Sequence, residues 1–507
     1  MPRYVMSHRR AGRFLATEKL ASRAALASTW SRVQQLASTN VVFDGRPEDE
    51  LARRVVVFDA QPGELAGIAA AAGPDVLIEP ELLRWPSIVY PPQFRGLQKT
   101  GSFAPLAAAP AGRGRTFEAE AFSHGEPLAH ATVYLFLQGS DGRQTSVERE
   151  TGADGKVAFE HSAFWTPGAI LVLPYCSAWG TVVRGPRSPI AIDCPSLDPG
   201  TGAHSSPWWH ALFHLKESDR KRGDGIRVGI CDTGVGPHPD LAHVVDAGAF
   251  LDGAFLEGQA ADVDSHGTHV AGIVGAHSRS EGRTGIAPAC ALLMARIFPP
   301  GGGASQADVA NAIDALSKTH ECDLLNLSLG SSYASEIERD ALEDAFERGT
   351  LAICAAGNEA GAVSFPASYD VTVAVSALGL SGWGPADSDA NLDLPQDADR
   401  YGDDNLYLAG FSCFGREVDA AGPGVGIVST VPERHGFIAP RAEMSGTSMA
   451  SPAVCGALAV LLAADPVYRT LPRDSSRAAR ARSLLRQACR DVGLDATYEG
   501  AGVPAVG

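Results

Sequence analysis

Ile226-Arg227-Val228-Gly229-Ile230-Cys231-Asp232-Thr233-Gly234 reads as a short apolar strand that runs out at a carboxylate and a glycine. Apolar runs of the same kind recur over 291–297, 323–328, 350–355 and 371–376. Helical patterning separates them, over 269–277, 305–317, 335–348 and later 451–464. Strands that are apolar on both sides and alternate with helices predict an α/β fold, a parallel sheet covered on both faces. In such sheets the reactive groups gather beyond the carboxyl ends of the strands, and Asp232 and Asn358 sit just past two of those ends.

Two further segments bring the groups that Asp232 needs. They are His266-Gly267-Thr268-His269-Val270-Ala271-Gly272 and Gly446-Thr447-Ser448-Met449-Ala450-Ser451-Pro452. A hydroxyl is a poor nucleophile until an imidazole takes its proton. The imidazole in turn needs a carboxylate to fix its tautomer and stabilise its charged form. Asp232, His266 and Ser448 supply these three groups, each among small residues. Ala355-Ala356-Gly357-Asn358-Glu359 and Asn326-Leu327-Ser328-Leu329-Gly330 complete a set of five motifs.

From about Pro207 to Arg490 the chain resembles the subtilisin-like serine peptidases, with all five motifs in that family's order. The resemblance implies a serine endopeptidase that cuts polypeptide substrates through an acyl-enzyme. Ser448 would be the nucleophile, His266 the general base and then acid, and Asp232 the orienting carboxylate. Asn358 would donate its side-chain amide to the oxyanion beside the Ser448 N–H. An extended substrate would lie against Leu329 and Gly330, with Gly330, Ala355, Ala356 and Gly357 lining an open pocket before the scissile bond. Glu359 would stand near its mouth. Gly301-Gly302-Gly303-Ala304-Ser305 reads either as a second substrate edge or as an ordinary loop. His269 is assigned a structural role. In the nucleophile segment Ala453 replaces the family's usual His, at a position without a catalytic role.

The front half differs in texture. Strand, helix, two strands, helix and strand follow one another up to Glu79, the ferredoxin-like order βαββαβ. That order suits a small α+β domain of any role; it also resembles the family's inhibitory propeptide, most clearly over 53–85. Short runs with partial alternation between 117 and 184, with turns at Asp141-Gly142 and Asp154-Gly155, predict an antiparallel β-sandwich. The sandwich resembles carboxypeptidase-regulatory-like modules. The expected division is 1–112 (propeptide-like domain with a Pro/Gly/Ala-rich linker), 113–195 (β-sandwich) and 205–495 (peptidase). A tail running from Glu81 through Gln98 could reach the cleft and hold the peptidase latent as an intramolecular inhibitor.

A chain of 507 residues with 45% hydrophobic and 20% charged residues can bury a large core. Its net charge of -17 argues against a nucleic-acid partner. The opening residues Met1 to Arg10 hold no signal-type apolar run, and no stretch reads as apolar enough to cross a membrane. Nine cysteines without paired or metal-ligand spacing suggest reduced thiols and a cytoplasmic protein. No cofactor is expected to be required. Calcium ligands of the kind found in secreted family members are not identifiable, and the acidic stretch 387–404 reads as an exposed loop. Two alternatives stay open: a processing protease dedicated to one partner protein, and a peptidase-like binding protein with a closed cleft.

Overall fold

The computed structural model describes residues 1–10, 16–45, 52–89, 114–197, 207–216, 218–278, 284–391 and 394–507. The first unit comprises β1 (Arg3–His8), α1 (Ala16–Val33), β2 (Asn40–Asp44), β3 (Val55–Asp59), α2 (Pro62–Ala70) and β4 (Val76–Pro80). Its four strands pair antiparallel in the order β2-β3-β1-β4. Strand alternation gives the sheet two buried faces. Met6, Val56 and Phe58 pack with Leu26 and Trp30. Val5, Val55 and Val57 point the other way and join a core shared with Ile313, Ile337 and Leu342. The first unit is thus docked on the two helices Gln306–Asp314 and Glu336–Glu347.

Buried charge fixes that contact. The Arg53 guanidinium reaches Asp314 at 2.9 Å and Asp344 at 3.0 Å, and also pairs with Asp340. Arg10 adds its backbone N–H to both Asp340 oxygens at 3.0 Å and its side chain to Asp344 at 3.3 Å. Burial alone would raise the Asp314 pKa, but Arg53 and Arg10 hold it below the usual carboxylate value. Glu79, at the end of the first sheet, accepts the Glu336 N–H at 2.6 Å and the Ser335 hydroxyl at 2.6 Å. It thereby satisfies a free donor at the N-terminus of helix Glu336–Glu347.

A two-sheet sandwich follows. Gly114–Ser123 lies between Lys156–Ser162 and Ile190–Asp193 in one sheet; Thr181–Arg184, Trp165–Leu173, Thr132–Gly139 and Gln144–Glu150 form the other. Phe117, Leu135, Phe159 and Ile170 fill the space between them. Ile190–Asp193, at the end of the expected sandwich span, runs parallel to Gly114–Ser123 rather than antiparallel. The Pro/Gly/Ala-rich linker expected at the end of the 1–112 unit lies outside the described residues.

The sandwich is fixed to the last unit. Ser177 N–H donates to the Arg441 carbonyl at 2.8 Å and the Tyr175 hydroxyl to the Pro432 carbonyl at 2.6 Å. Trp179 meets Trp383 edge-on at 6.0 Å. The acidic stretch is not wholly an exposed loop: Val182 N–H donates to Asp387 at 2.9 Å and Asp389 N–H to Gly180 at 3.1 Å, with Ser388 and Ala390 buried. Its start is a docking strip for the sandwich, because backbone groups there find partners that water would otherwise supply. Positions 392 and 393 lie outside the described residues.

In the last unit a nine-stranded sheet is parallel through its centre, in the order 245–251, 291–296, 227–232, 324–327, 351–355, 372–380. Arg227–Asp232, Leu324–Leu327 and Leu351–Ala355 are adjacent, so their carboxyl ends deliver Asp232, the 328–330 edge and Asn358 to one rim. Helices His266–Gly275 and Thr447–Ala464 pack together in one core, and Gln306–Asp314 and Glu336–Glu347 in another. Thr447–Ala464 corrects one expectation: its 18 residues have a mean hydropathy of 1.7, long and apolar enough to cross a membrane. It is 78% buried as a core helix, its apolar surface covered by protein.

Candidate active site

His266 is the first residue of its helix, and the following residue has to be glycine. A Cβ on Gly267 would stand 2.2 Å from the Gly234 carbonyl, so the helix end can close on the 232–234 turn only without a side chain there. The close approach puts His266 Nδ1 2.7 Å from Asp232 Oδ1, which also accepts the Thr233 N–H at 2.7 Å. Both side chains are fully buried. Burial opposes the imidazolium, yet the Asp232 charge and hydrogen bond outweigh it and raise the His266 pKa above 6.5. His266 Nε2 is buried and has no hydrogen-bond partner among the described residues. His269, one turn on, faces the carbonyls of Ile427 and Ala442 at 3.0 and 3.1 Å; burial lowers its pKa to about 3. It ties the helix to the 427–444 hairpin.

Ser448 lies in the first turn of helix Thr447–Ala464. Pro452 sits inside that helix rather than at its start, and it lacks the N–H that would bond the Ser448 carbonyl. The Ser328 hydroxyl takes that acceptor instead, at 2.9 Å. The Ser448 hydroxyl in turn donates to the Ser328 carbonyl at 2.9 Å rather than to His266.

Asn358 is oriented by its neighbour. Its Oδ1 accepts the Thr447 N–H at 3.0 Å and the Thr447 hydroxyl at 2.9 Å. That leaves Nδ2, a buried donor with no hydrogen-bond partner among the described residues. An aimed, unused donor beside a backbone N–H is what a developing oxyanion requires.

The cleft between these groups holds the chain's own β5 (Leu83–Pro86), an antiparallel strand between two edges. Leu83 and Arg84 pair with Ser305 and Ala304; Trp85 and Pro86 pair with Gly330 and Leu329. The glycine-rich run 301–305 thus supplies an edge. Ser87 N–H donates to the Ser328 carbonyl at 3.1 Å, and the Ser87 carbonyl accepts the Ser448 N–H at 3.1 Å. Val89 N–H continues to the Ser445 carbonyl at 3.1 Å. A Cβ on Gly446 would lie 2.5 Å from the Ser87 oxygen, so that close carbonyl approach needs glycine.

The remaining expected pocket residues divide. A Cβ on Gly330 would come 3.6 Å from Ser87 Oγ, which puts this glycine beside the residue in the pocket. Ala355 and Ala356 are fully buried, and Ala356 N–H is bonded to Val375 at 3.0 Å. Gly357 has φ +110°, with Ser364 Oγ where its Cβ would be. The Glu359 carboxylate turns inward, accepting the Asn358 N–H at 2.9 Å. Beyond Ser87 a cavity of about 200 Å³ has walls from both the sandwich and the last unit, among them Tyr134, Leu173, Phe411 and Met444, with Ile88 and Val89 facing it. Arg84 and Glu338, which meet in this cleft, were not among the expected site residues; Arg84 in an otherwise apolar run was the one visible signal. Among the described residues no group of three or more His, Cys, Asp or Glu is placed to hold a metal ion.

The model of the subtilase family matches residues 223–501. Subtilisin Savinase of Lederbergia lenta is 32% identical over 269 residues, which span 52% of this chain and 87% of that protein. An alkaline protease of Shouchella clausii is 31% identical over 295 residues, 55% of this chain and 69% of the relative. Fervidolysin from Fervidobacterium pennivorans, described as a keratinolytic enzyme related to subtilisin, shares the fold with a TM-score of 0.59 at 18% identity. The alignment covers all of this chain and 60% of fervidolysin's length.

Proposed function

Because the chain belongs to the subtilase family of serine endopeptidases, we propose that Ser448, His266 and Asp232 cut polypeptides and that residues up to Ser87 hold the enzyme latent. Ser448 Oγ attacks the carbonyl carbon while its proton passes to His266 Nε2. Asp232 stabilises the imidazolium, which then protonates the leaving amine; water releases the acyl group by the reverse route. Asn358 Nδ2 and the Ser448 N–H hold the oxyanion.

One observation carries the latency. The Ser87 carbonyl sits on the Ser448 N–H while the residues before it pair with both cleft edges. The Ser87–Ile88 peptide bond is then the bond presented for hydrolysis, and the docked first unit blocks other substrates until it is cut and displaced. Intact mass of the purified chain, with and without a fluorophosphonate probe, tests this. The expected result is a cut after Ser87 and probe on the larger fragment, both lost in Ser448→Ala. An intact wild type that takes no probe would overturn it.

We also place the enzyme in a reducing, cytoplasmic setting. Nine free cysteines, eight of them buried, support that reading. A disulfide found by non-reducing peptide mapping of protein from its native cells would remove the support.

A further inference from the structure

The cleft strand alternates. Leu83 and Trp85 are 41% and 51% exposed, whereas Arg84 between them is fully buried. Counted back from the Ser87 carbonyl on the Ser448 N–H, Arg84 is the fourth residue on the amino side of the scissile bond. Its Nε donates to the two Glu338 oxygens at 3.1 and 3.3 Å, its Nη2 donates to Glu338 Oε2 at 2.7 Å, and Nη1 bonds the Ser331 hydroxyl.

Glu338 is itself fully buried, in the first turn of helix Glu336–Glu347. Ser331 follows directly on the Leu329–Gly330 edge. Both belong to the peptidase part and remain whatever strand occupies the cleft. A buried carboxylate left without a cation is heavily penalised, and an apolar side chain in its place cannot satisfy it. The contact is also separate from the clamp that docks the first unit, which uses Arg10 and Arg53 on Asp314, Asp340 and Asp344.

We propose that the pocket closed by Glu338 and Ser331 is a substrate subsite for arginine, so that this peptidase selects polypeptides with arginine four residues before the cleaved bond. The inference rests on the catalytic reading above. Three donors in a planar fork use the carboxylate and the hydroxyl together; lysine offers one compact charge and fits less well, and leucine leaves Glu338 unpaired.

The test uses the full chain and acetylated tetrapeptide p-nitroanilides ending Trp-Pro-Ser, with arginine, lysine, glutamine or leucine at the first position. The expected order of kcat/KM is arginine, lysine, then the other two, with arginine ahead of leucine by about 100-fold. Glu338→Gln is expected to bring the arginine-to-leucine ratio close to one. A ratio within one preparation does not depend on how much of it is folded. Equal kcat/KM for arginine and leucine in the wild type, or an unchanged ratio in Glu338→Gln, would overturn the subsite and leave the catalytic reading standing. A wild type that hydrolyses no anilide and takes no fluorophosphonate would overturn both.

Discussion

The carbonyl oxygen of Ser87 accepts the Ser448 N–H at 3.1 Å, and the neighbouring donor, Asn358 Nδ2, has no hydrogen-bond partner among the described residues. Asn358→Ala removes that second donor from the charge that develops on the carbonyl. A fall of about 10²–10³-fold in kcat with little change in KM is expected, read from steady-state peptide hydrolysis. A loss confined to KM would mean that the amide only holds substrate. Gly446→Ala, whose methyl meets the Ser87 oxygen, should slow the cut after Ser87 as well.

The pH profile follows from His266. The general base must be neutral, and its pKa is raised above 6.5 by Asp232 despite burial. Activity should therefore be lost as pH falls through that raised value and be fully present above it. Asp232→Asn should move the acid limb of kcat/KM downward and lower kcat by about 10⁴-fold, since the tautomer is then wrong. An acid limb at the same pH in both proteins would assign the titration to another group.

Arg53→Ala leaves Asp314, Asp340 and Asp344 facing one another with the central guanidinium gone and only the more distant Arg10 and Arg348 pairs among the described residues. Breaking such a buried network costs about 3–5 kcal/mol, which should appear as faster hydrogen exchange in β3 of a Ser448→Ala chain. Acid acts on the same contact. Asp314 has its pKa held below the ordinary aspartate value of 3.8, so its contribution is complete above 3.8 and lost as pH falls through the depressed value. Protection of β3 should thus survive mild acid and fail only below the ordinary carboxylate range.

Aromatic packing joins the backbone contacts in holding the sandwich on the last unit. Trp383 meets both Trp179 at 6.0 Å and Trp209 at 5.7 Å, edge to face. Trp179→Ala should destabilise the protein by about 3–5 kcal/mol in urea unfolding. An unchanged midpoint would mean that the sandwich is held by its backbone hydrogen bonds alone.

The chemistry was legible because its residues sit in local frames: Gly267 beside His266, Gly446 before Ser448, Asn358 after a strand. What lay hidden were relations between distant positions. Arg84 and Glu338 are 254 residues apart, and no periodicity joins them. That Ser87, rather than another residue of the expected 81–98 tail, meets Ser448 depends on strand register, which is set by two edges far along the chain. The acidic stretch reads as exposed because its charged side chains conceal backbone that docks on the sandwich. Thr447–Ala464 does not stand out as a long apolar helix because small residues, Ala above all, make up much of it, although their summed hydropathy is high.

The docked first unit and the strand in the cleft are one continuous piece of chain ending at the presented bond. While that bond is whole, the blocking strand is tethered, and its local concentration at the cleft does not change with dilution. Once the bond is cut, the same surfaces meet as two separate molecules. Under the latency proposed above, reoccupation then depends on how many free copies are present, so the enzyme's output would be a function of its own abundance: dilute enzyme would stay open, and crowded enzyme would close on its own discarded part.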